Sequence, residues 1–266
     1  MSTADSGAVL LEEQRGKVRI LTLNRPRSRN ALSTELITAV RDALARADSD
    51  NLVDVVILTG ADPAFCAGLD LRELGSSGNN ADAISEQEIP VGHPWRPLSK
   101  PLIGAINGAA ITGGLEFALA CDFLIASERA TFADTHARVG VLPGWGLTYR
   151  LPAAVGTGLA RRMSLSGDFL DAKQALRAGL VTEVVAHDRL LEAAVDVAVS
   201  IVGNDQPGVR TLLDSYRRSH DHIVNQALQV EDSTSQQWMA DFDPSRVEER
   251  REAVIDRGRS QGGLTV

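Results

Sequence analysis

The chain has 266 residues, of which 44% are hydrophobic and 23% charged, a composition that excludes disorder and fibre. Its 27 Lys and Arg stand against 35 Asp and Glu, and the net charge of −8 excludes a general attraction to nucleic acid or to an anionic membrane. Any anionic partner must therefore find a local basic patch.

In chain order, Val18 to Leu23 is short and rich in β-branched residues, and Pro26 stops it, so it reads as a strand. Ser33 is an N-cap for a helix from Thr34 to Ala47, with Leu36, Ile37, Val40 and Leu44 on one face. Val53 to Thr59 is a near-continuous apolar strand, as expected where both faces of a sheet are covered. Leu102 to Ile106 and Phe123 to Ala126 repeat the pattern, and Val181 to Val185 follows a helix over Asp171 to Ala178 that Gly179 ends. Strands and helices alternate to about residue 200, which predicts an α/β core of largely parallel strands over 1–203. The stretch Gly75 to Pro101 breaks the rhythm with clustered Gly, Ser, Asn and Pro and reads as a long loop, functional or mobile. After Gly203 strands cease, and 204–266 reads as a helical extension from Asp205 to Gln261. Its scattered apolar anchors Leu213, Tyr216, Ile223, Leu228 and Trp238 predict self-association.

Two glycine turns carry the chemistry. In Ala64-Phe65-Cys66-Ala67-Gly68-Leu69-Asp70-Leu71, small residues follow a buried strand and let a ligand approach the main chain. In the run from Asn107 to Asp122, Gly113 and Gly114 open an apolar helix whose free amides favour a developing oxyanion. Each turn alone is also consistent with glycine serving only the backbone. Glu116 sits three residues beyond Gly113 on that apolar helix, where a carboxylate is costly unless it is paired or used as an acid or base; the alternative is an acid complementing the helix dipole. Gly156-Thr157-Gly158 lacks the third glycine of a dinucleotide fingerprint, and neither a Gly-x-Ser-x-Gly elbow nor a phosphate-loop lysine occurs. His220 and His222 point to different sides of a helix, away from both cysteines, so no metal site is expected. His93 and His187 read as solvent or turn residues. Cys66 and Cys121 are too few for a disulfide framework, no apolar run reaches the roughly 18 residues of a membrane span, and Met1 to Gly16 carries no signal-peptide core; a cytoplasmic location is expected.

These turns and their spacing, with Asn24-Arg25-Pro26 and Asn30-Ala31-Leu32 near the start, resemble the crotonase superfamily, the enoyl-CoA hydratase/isomerase family, over roughly Val9 to Arg259. The resemblance implies a spiral of repeated ββα units, a C-terminal helical region that helps form a homotrimer or homohexamer, and an acyl-CoA thioester as substrate with no further cofactor. It implies that the amides of Leu69 and Gly113 form an oxyanion hole, in agreement with the reading of the turns. It also implies a CoA site at Arg27, Ser28, Arg29, Ala67, Asp70, Leu71, Arg72 and Gly114; Arg25, Arg27 and Arg29 supply a basic patch for phosphates or a merely solvated cationic turn. Glu116 matches the first of two family glutamates. At the second, within Phe132 to Gly144, this chain has His136. An imidazole titrating near neutrality can serve as the second acid or base, or be a hydrogen-bonded pocket residue; Asp134 can orient it or cap a following helix, and Trp145 reads as pocket wall or core. The activity implied is hydration of a 2-enoyl-CoA to a 3-hydroxyacyl-CoA by Glu116 and His136, with isomerisation, thioester hydrolysis or non-catalytic acyl-CoA binding as the alternatives.

Overall fold

In the computed structural model, which describes residues 7–77, 89–240 and 245–261, the strand at Val18–Leu23 (β2) forms over the expected residues. An edge strand, Leu10–Arg15 (β1), precedes it and pairs with it antiparallel. The helix Thr34–Ser49 (α1) begins as expected, with Ser33 Oγ accepting from the Leu36 amide at 3.3 Å. The next strand, Val55–Gly60 (β3), starts two residues later than the apolar run, because Asp54 is held by Lys17 and Arg210 rather than entering the sheet.

From there the chain repeats a unit of two strands and a helix. The three units are β3, Ala64–Cys66 (β4) and helix Leu71–Ser77 (α2); Leu102–Ile106 (β5), Ala109–Ile111 (β6) and Gly113–Leu119 (α3); and Phe123–Ser127 (β7), Thr131–Ala133 (β8) and His136–Val139 (α4). The first strand of each unit joins a six-stranded sheet, ordered β1-β2-β3-β5-β7-β10, where β10 is Glu183–Val185; the second joins a four-stranded sheet, β4-β6-β8-β9, where β9 is Leu170–Asp171. Apart from β1 and β9, all strands run parallel to their neighbours. Both faces of the large sheet are covered. Leu21, Val56 and Leu58 face α1 and the main core, whereas Ile20, Ile57, Ile103 and Ile125 pack against Leu190, Ala194 and Ala198 of helix Leu190–Val202. That two-sided burial is why the central strands lack polar alternation.

Helices Leu147–Val155 (α5), Thr157–Ser166 (α6) and Ala172–Ala178 (α7) follow the third unit. The last has a capping box between Asp171 and Gln174 and ends at left-handed Gly179. Counting Leu190–Val202 as α8, the extension is two helices, Gln206–Ala240 (α9) and Ser245–Gln261 (α10), rather than one run. The expected loop from Gly75 to Pro101 is shorter at its start, since α2 continues to Ser77; positions 78–88 lie outside the described residues, and 89–101 carry no helix or strand.

Two sequence expectations change. Leu228 is buried inside its own chain against Gly92 and is not available for self-association; Trp238 donates to the Gly140 carbonyl at 2.8 Å, Tyr216 stays exposed, and the Ile223 side chain lies outside those described. His93 and His187 are tied down rather than solvated: Arg150 donates to His93, and His187 bridges Ser127 and Asp62. Among the described residues no helix is long and apolar enough to cross a membrane.

Candidate active site

The three units end side by side in the small sheet, and the residues just beyond β4, β6 and β8 converge. After β4, Gly68 has φ +92, and a Cβ there would lie 2.8 Å from the Ile111 carbonyl, so the turn requires glycine. The turn is fastened through the Gly68 carbonyl to Leu32 N and through Asp70 N to the Leu32 carbonyl. The Leu69 N–H between them has no acceptor among the described residues. After β6, Thr112 holds a left-handed φ of 56, uncommon for a β-branched residue. It is pinned there by its amide on the Ala133 carbonyl and its hydroxyl on that of Thr135 at 2.5 Å. This turns the backbone so that Gly113 opens α3 beside the first turn; a Cβ on Gly113 would lie 3.6 Å from Leu69 N. Gly114 is tighter still, since a Cβ there would meet the Cys66 carbonyl at 2.2 Å.

Glu116 projects from α3 and is 3% exposed. Its Oε1 accepts the Trp145 amide at 2.7 Å, and its Oε2 lies 3.4 Å from Nε2 of His136. His136 begins α4, also buried, and its Nδ1 lies 2.6 Å from Asp134 Oδ1. The same oxygen accepts the His136 amide at 3.1 Å, so Asp134 orients the ring and holds the first amide of the helix, whose N-cap residue is Thr135. Burial opposes protonation of the ring, but the hydrogen bonds to Asp134 and Glu116 and their charges outweigh it and raise the His136 pKa to about 10. The expectation of a group titrating near neutrality is thereby corrected. Both surroundings favour the protonated ring, with Nδ1 2.6 Å from Asp134 and Nε2 3.4 Å from Glu116. For Asp134, burial works against ionisation, but its bond to His136 wins and lowers its pKa.

Against this geometry the known proteins can be placed. The family described as enoyl-CoA hydratase/isomerase matches residues 13–253. This chain belongs to the enoyl-CoA hydratase/isomerase family. It is 35% identical over 256 residues to a probable peroxisomal enoyl-CoA hydratase 1 of Arabidopsis thaliana, covering 96% of each chain. Among solved structures it resembles an enoyl-CoA hydratase from Mycobacterium smegmatis, with a TM-score of 0.80 and 59% identity over 88% of this chain and all of that one. A monofunctional enoyl-CoA isomerase from M. smegmatis is also similar, with a TM-score of 0.67, 35% identity, and coverage of 80% of this chain and 94% of that one. The fold is thus the crotonase fold.

The basic patch divides. Arg25 is taken up by Asp70 at 2.9 Å and by the Ala31 carbonyl, so it and Asp70 brace the turn. Arg27 and Ser28 stand exposed on a 3-10 turn, Pro26–Ser28. Arg29, at φ 51, offers its carbonyl to the Ala67 amide at 3.0 Å. Leu71 starts α2, and Arg72, one residue on, lines an open cleft of about 490 Å³ with Gly75, Ser76 and Arg251. Sequence reasoning missed Arg251, which sits in a charged helix with no motif around it. It missed Thr112 as well, although a β-branched residue just before a Gly-Gly pair is a signal of a strained turn. It also missed Glu231 of α9, which is buried and accepts from the amides of Gly146 and Thr148 and from the Thr148 hydroxyl.

Proposed function

We propose that this chain is an enoyl-CoA hydratase, a hydro-lyase that adds water reversibly to a 2-enoyl-CoA and gives a 3-hydroxyacyl-CoA. The observation that carries the reading is the buried array of Asp134, His136 and Glu116 set at the ends of the same strands that present the unengaged Leu69 and Gly113 amides. Glu116 takes a proton from water as the water oxygen bonds to the β-carbon. The double-bond electrons move to the thioester oxygen, where the two amides hold the enolate. The imidazolium of His136 then gives its Nε2 proton to the α-carbon. Water and proton arrive from neighbouring side chains, which makes the addition syn. The proton left on Glu116 passes back to His136 across their contact and resets both groups. Hydration moves no electrons between molecules, so the step calls on no redox group, and coenzyme A belongs to the substrate. The reading gives the phosphates to Arg27, Arg29 and the Arg72 cleft, and the rest of the CoA to Ser28, Ala67, Leu71 and Gly114.

Turnover of crotonyl-CoA tests this directly. Glu116→Gln should lower it by roughly 10² to 10⁴ while binding of an unreactive acyl-CoA analogue changes little; a fully active variant would remove Glu116 from the chemistry. The likeness to an isomerase and the histidine at the second acid/base position support one other reading, double-bond isomerisation with Glu116 shuttling a proton. Rapid conversion of a 3-enoyl-CoA without hydration of crotonyl-CoA would establish it. The exposed Leu212, Tyr216 and Val230 of α9 support assembly as a trimer or hexamer, which sedimentation should detect; a stable, active monomer would reject it. Two free, buried cysteines fit a reducing, cytoplasmic place of action.

A further inference from the structure

Glu231 lies 115 residues beyond Glu116, on the long helix α9, and is 6% exposed. A buried acid in an otherwise polar helix needs partners, and it has three donors: the Gly146 amide, the Thr148 amide at 2.7 Å and the Thr148 hydroxyl. Gly146 and Thr148 are the cap and second residue of α5, whose own N-cap residue offers no side chain to its free amides. The residue between the glycines, Trp145, donates its amide to Oε1 of Glu116. One helical turn earlier, Leu228 fills the space beside Gly92. Arg150 then joins the two loops, donating to the carbonyls of Gly92 and Trp145 and to His93. His93 can accept because burial, and then the charges of Arg150 and Arg217, lower its pKa to about 4 and keep it neutral. A single turn of α9 therefore fastens the loop that holds Glu116 and the Gly92 loop that Arg150 ties to it.

We propose that Glu231 is a positioning residue for hydration: by gripping the amides of Gly146 and Thr148 it holds the Trp145 N–H on Oε1 of Glu116, so that Oε2 alone faces His136 and the reacting water. This rests on the reading of Glu116 as the base. The two carboxylates are close enough to sense each other, since after burial the charge on Glu116 is the next cause raising the Glu231 pKa. The three donors on Glu231 offset only part of the cost of burying it beside a second acid, and its pKa stays raised.

The test is steady-state kinetics with crotonyl-CoA on the full chain. Glu231→Gln keeps the size but sets its carboxamide N–H₂ against one of the two amides it must accept from. It should lower kcat about tenfold with KM within about threefold, because the loosened group acts on the reacting atoms and not on binding. In a Glu116→Gln background the same change should cost nothing further. A wild-type kcat, a loss confined to KM, or an equal loss in both backgrounds would overturn the proposal. Should Glu231→Gln fail to fold, Thr148→Val removes one donor and should lower kcat two- to fivefold at unchanged KM, and a wild-type kcat there would overturn the proposal. If Glu116→Gln is itself active, the base assignment fails; if it is inactive while Glu231→Gln matches wild type, only the positioning role fails.

Discussion

Asp134→Asn isolates the charge that keeps His136 protonated. The side chain keeps its shape and one oxygen, so the bond to the His136 amide and the ring orientation survive while the negative charge goes. Raising an imidazole from 6.5 to about 10 corresponds to about 5 kcal/mol in favour of the imidazolium, net of burial. Asp134 at 2.6 Å is the nearer of its two carboxylates, against 3.4 Å for Glu116, and an opposite charge this close moves a pKa by roughly 1 to 3 pH units. The proposed chemistry needs His136 protonated, so activity is lost as pH rises through its pKa. In the wild type kcat/KM for crotonyl-CoA should hold from pH 7 to 9 and fall near pH 10. In Asp134→Asn the fall should come about 2 units earlier, giving roughly a tenfold deficit at pH 9 and a much smaller one at pH 7. The signal is loss of the conjugated thioester absorbance across a pH series. Coincident alkaline limbs, or a limb moved upward, would refute the claim that His136 acts as a cation held by Asp134. Stability carries the same sign: the raised pKa contributes fully below 6.5, and the contribution disappears as pH rises through about 10.

Gly114→Ala would push a Cβ to within 2.2 Å of the Cys66 carbonyl, and relieving that overlap should cost about 1 to 3 kcal/mol. For a chain of this size that lowers Tm by roughly 2 to 4 °C per kcal/mol, with turnover falling as Gly113 shifts; an unchanged melting curve would contradict the close approach. Removing Arg72 or Arg27 should weaken CoA esters more than the corresponding pantetheine esters, because only the former bring nucleotide phosphates. Equal losses on both ligands would take these arginines out of the nucleotide site.

What the sequence disclosed follows from which forces act locally. β5 is legible to the residue because two-sided burial leaves an unbroken apolar run, β2 because its β-branched and apolar residues end at Pro26, and α1 because Ser33 and a 3.6-residue stripe mark it. β4, β6 and β8 are three residues each, built partly of alanine, and carry neither alternation nor length. β1 is missed because Leu10–Arg15 is a polar edge whose pairing is supplied by its neighbour. In the site, Glu116 is visible because a charge interrupts an apolar helix, whereas Glu231 is one acid among many in a charged helix, and only its partners, over eighty residues away in sequence, distinguish it. The protonation of His136 is only half legible, for Asp134 stands two residues before it in sequence while Glu116 is brought to the other ring nitrogen by the fold.

The small sheet also sets the dimensions of the chemistry. Leu69, Gly113 and His136 follow β4, β6 and β8, adjacent parallel strands in register at Cys66 with Ala110 and at Ile111 with Ala133. Strand spacing in any sheet is about 4.8 Å, so the three positions are ruled off at intervals that no side chain chooses. Under the proposed mechanism, the distance from the oxyanion to the proton donor is then a property of the backbone ladder, common to whatever residues stand at the strand ends. Exchanging the group on the third strand, carboxylate for imidazole, alters which proton is offered and at what pH without disturbing the two amides. Reaction type can change one strand end at a time, with the thioester held still.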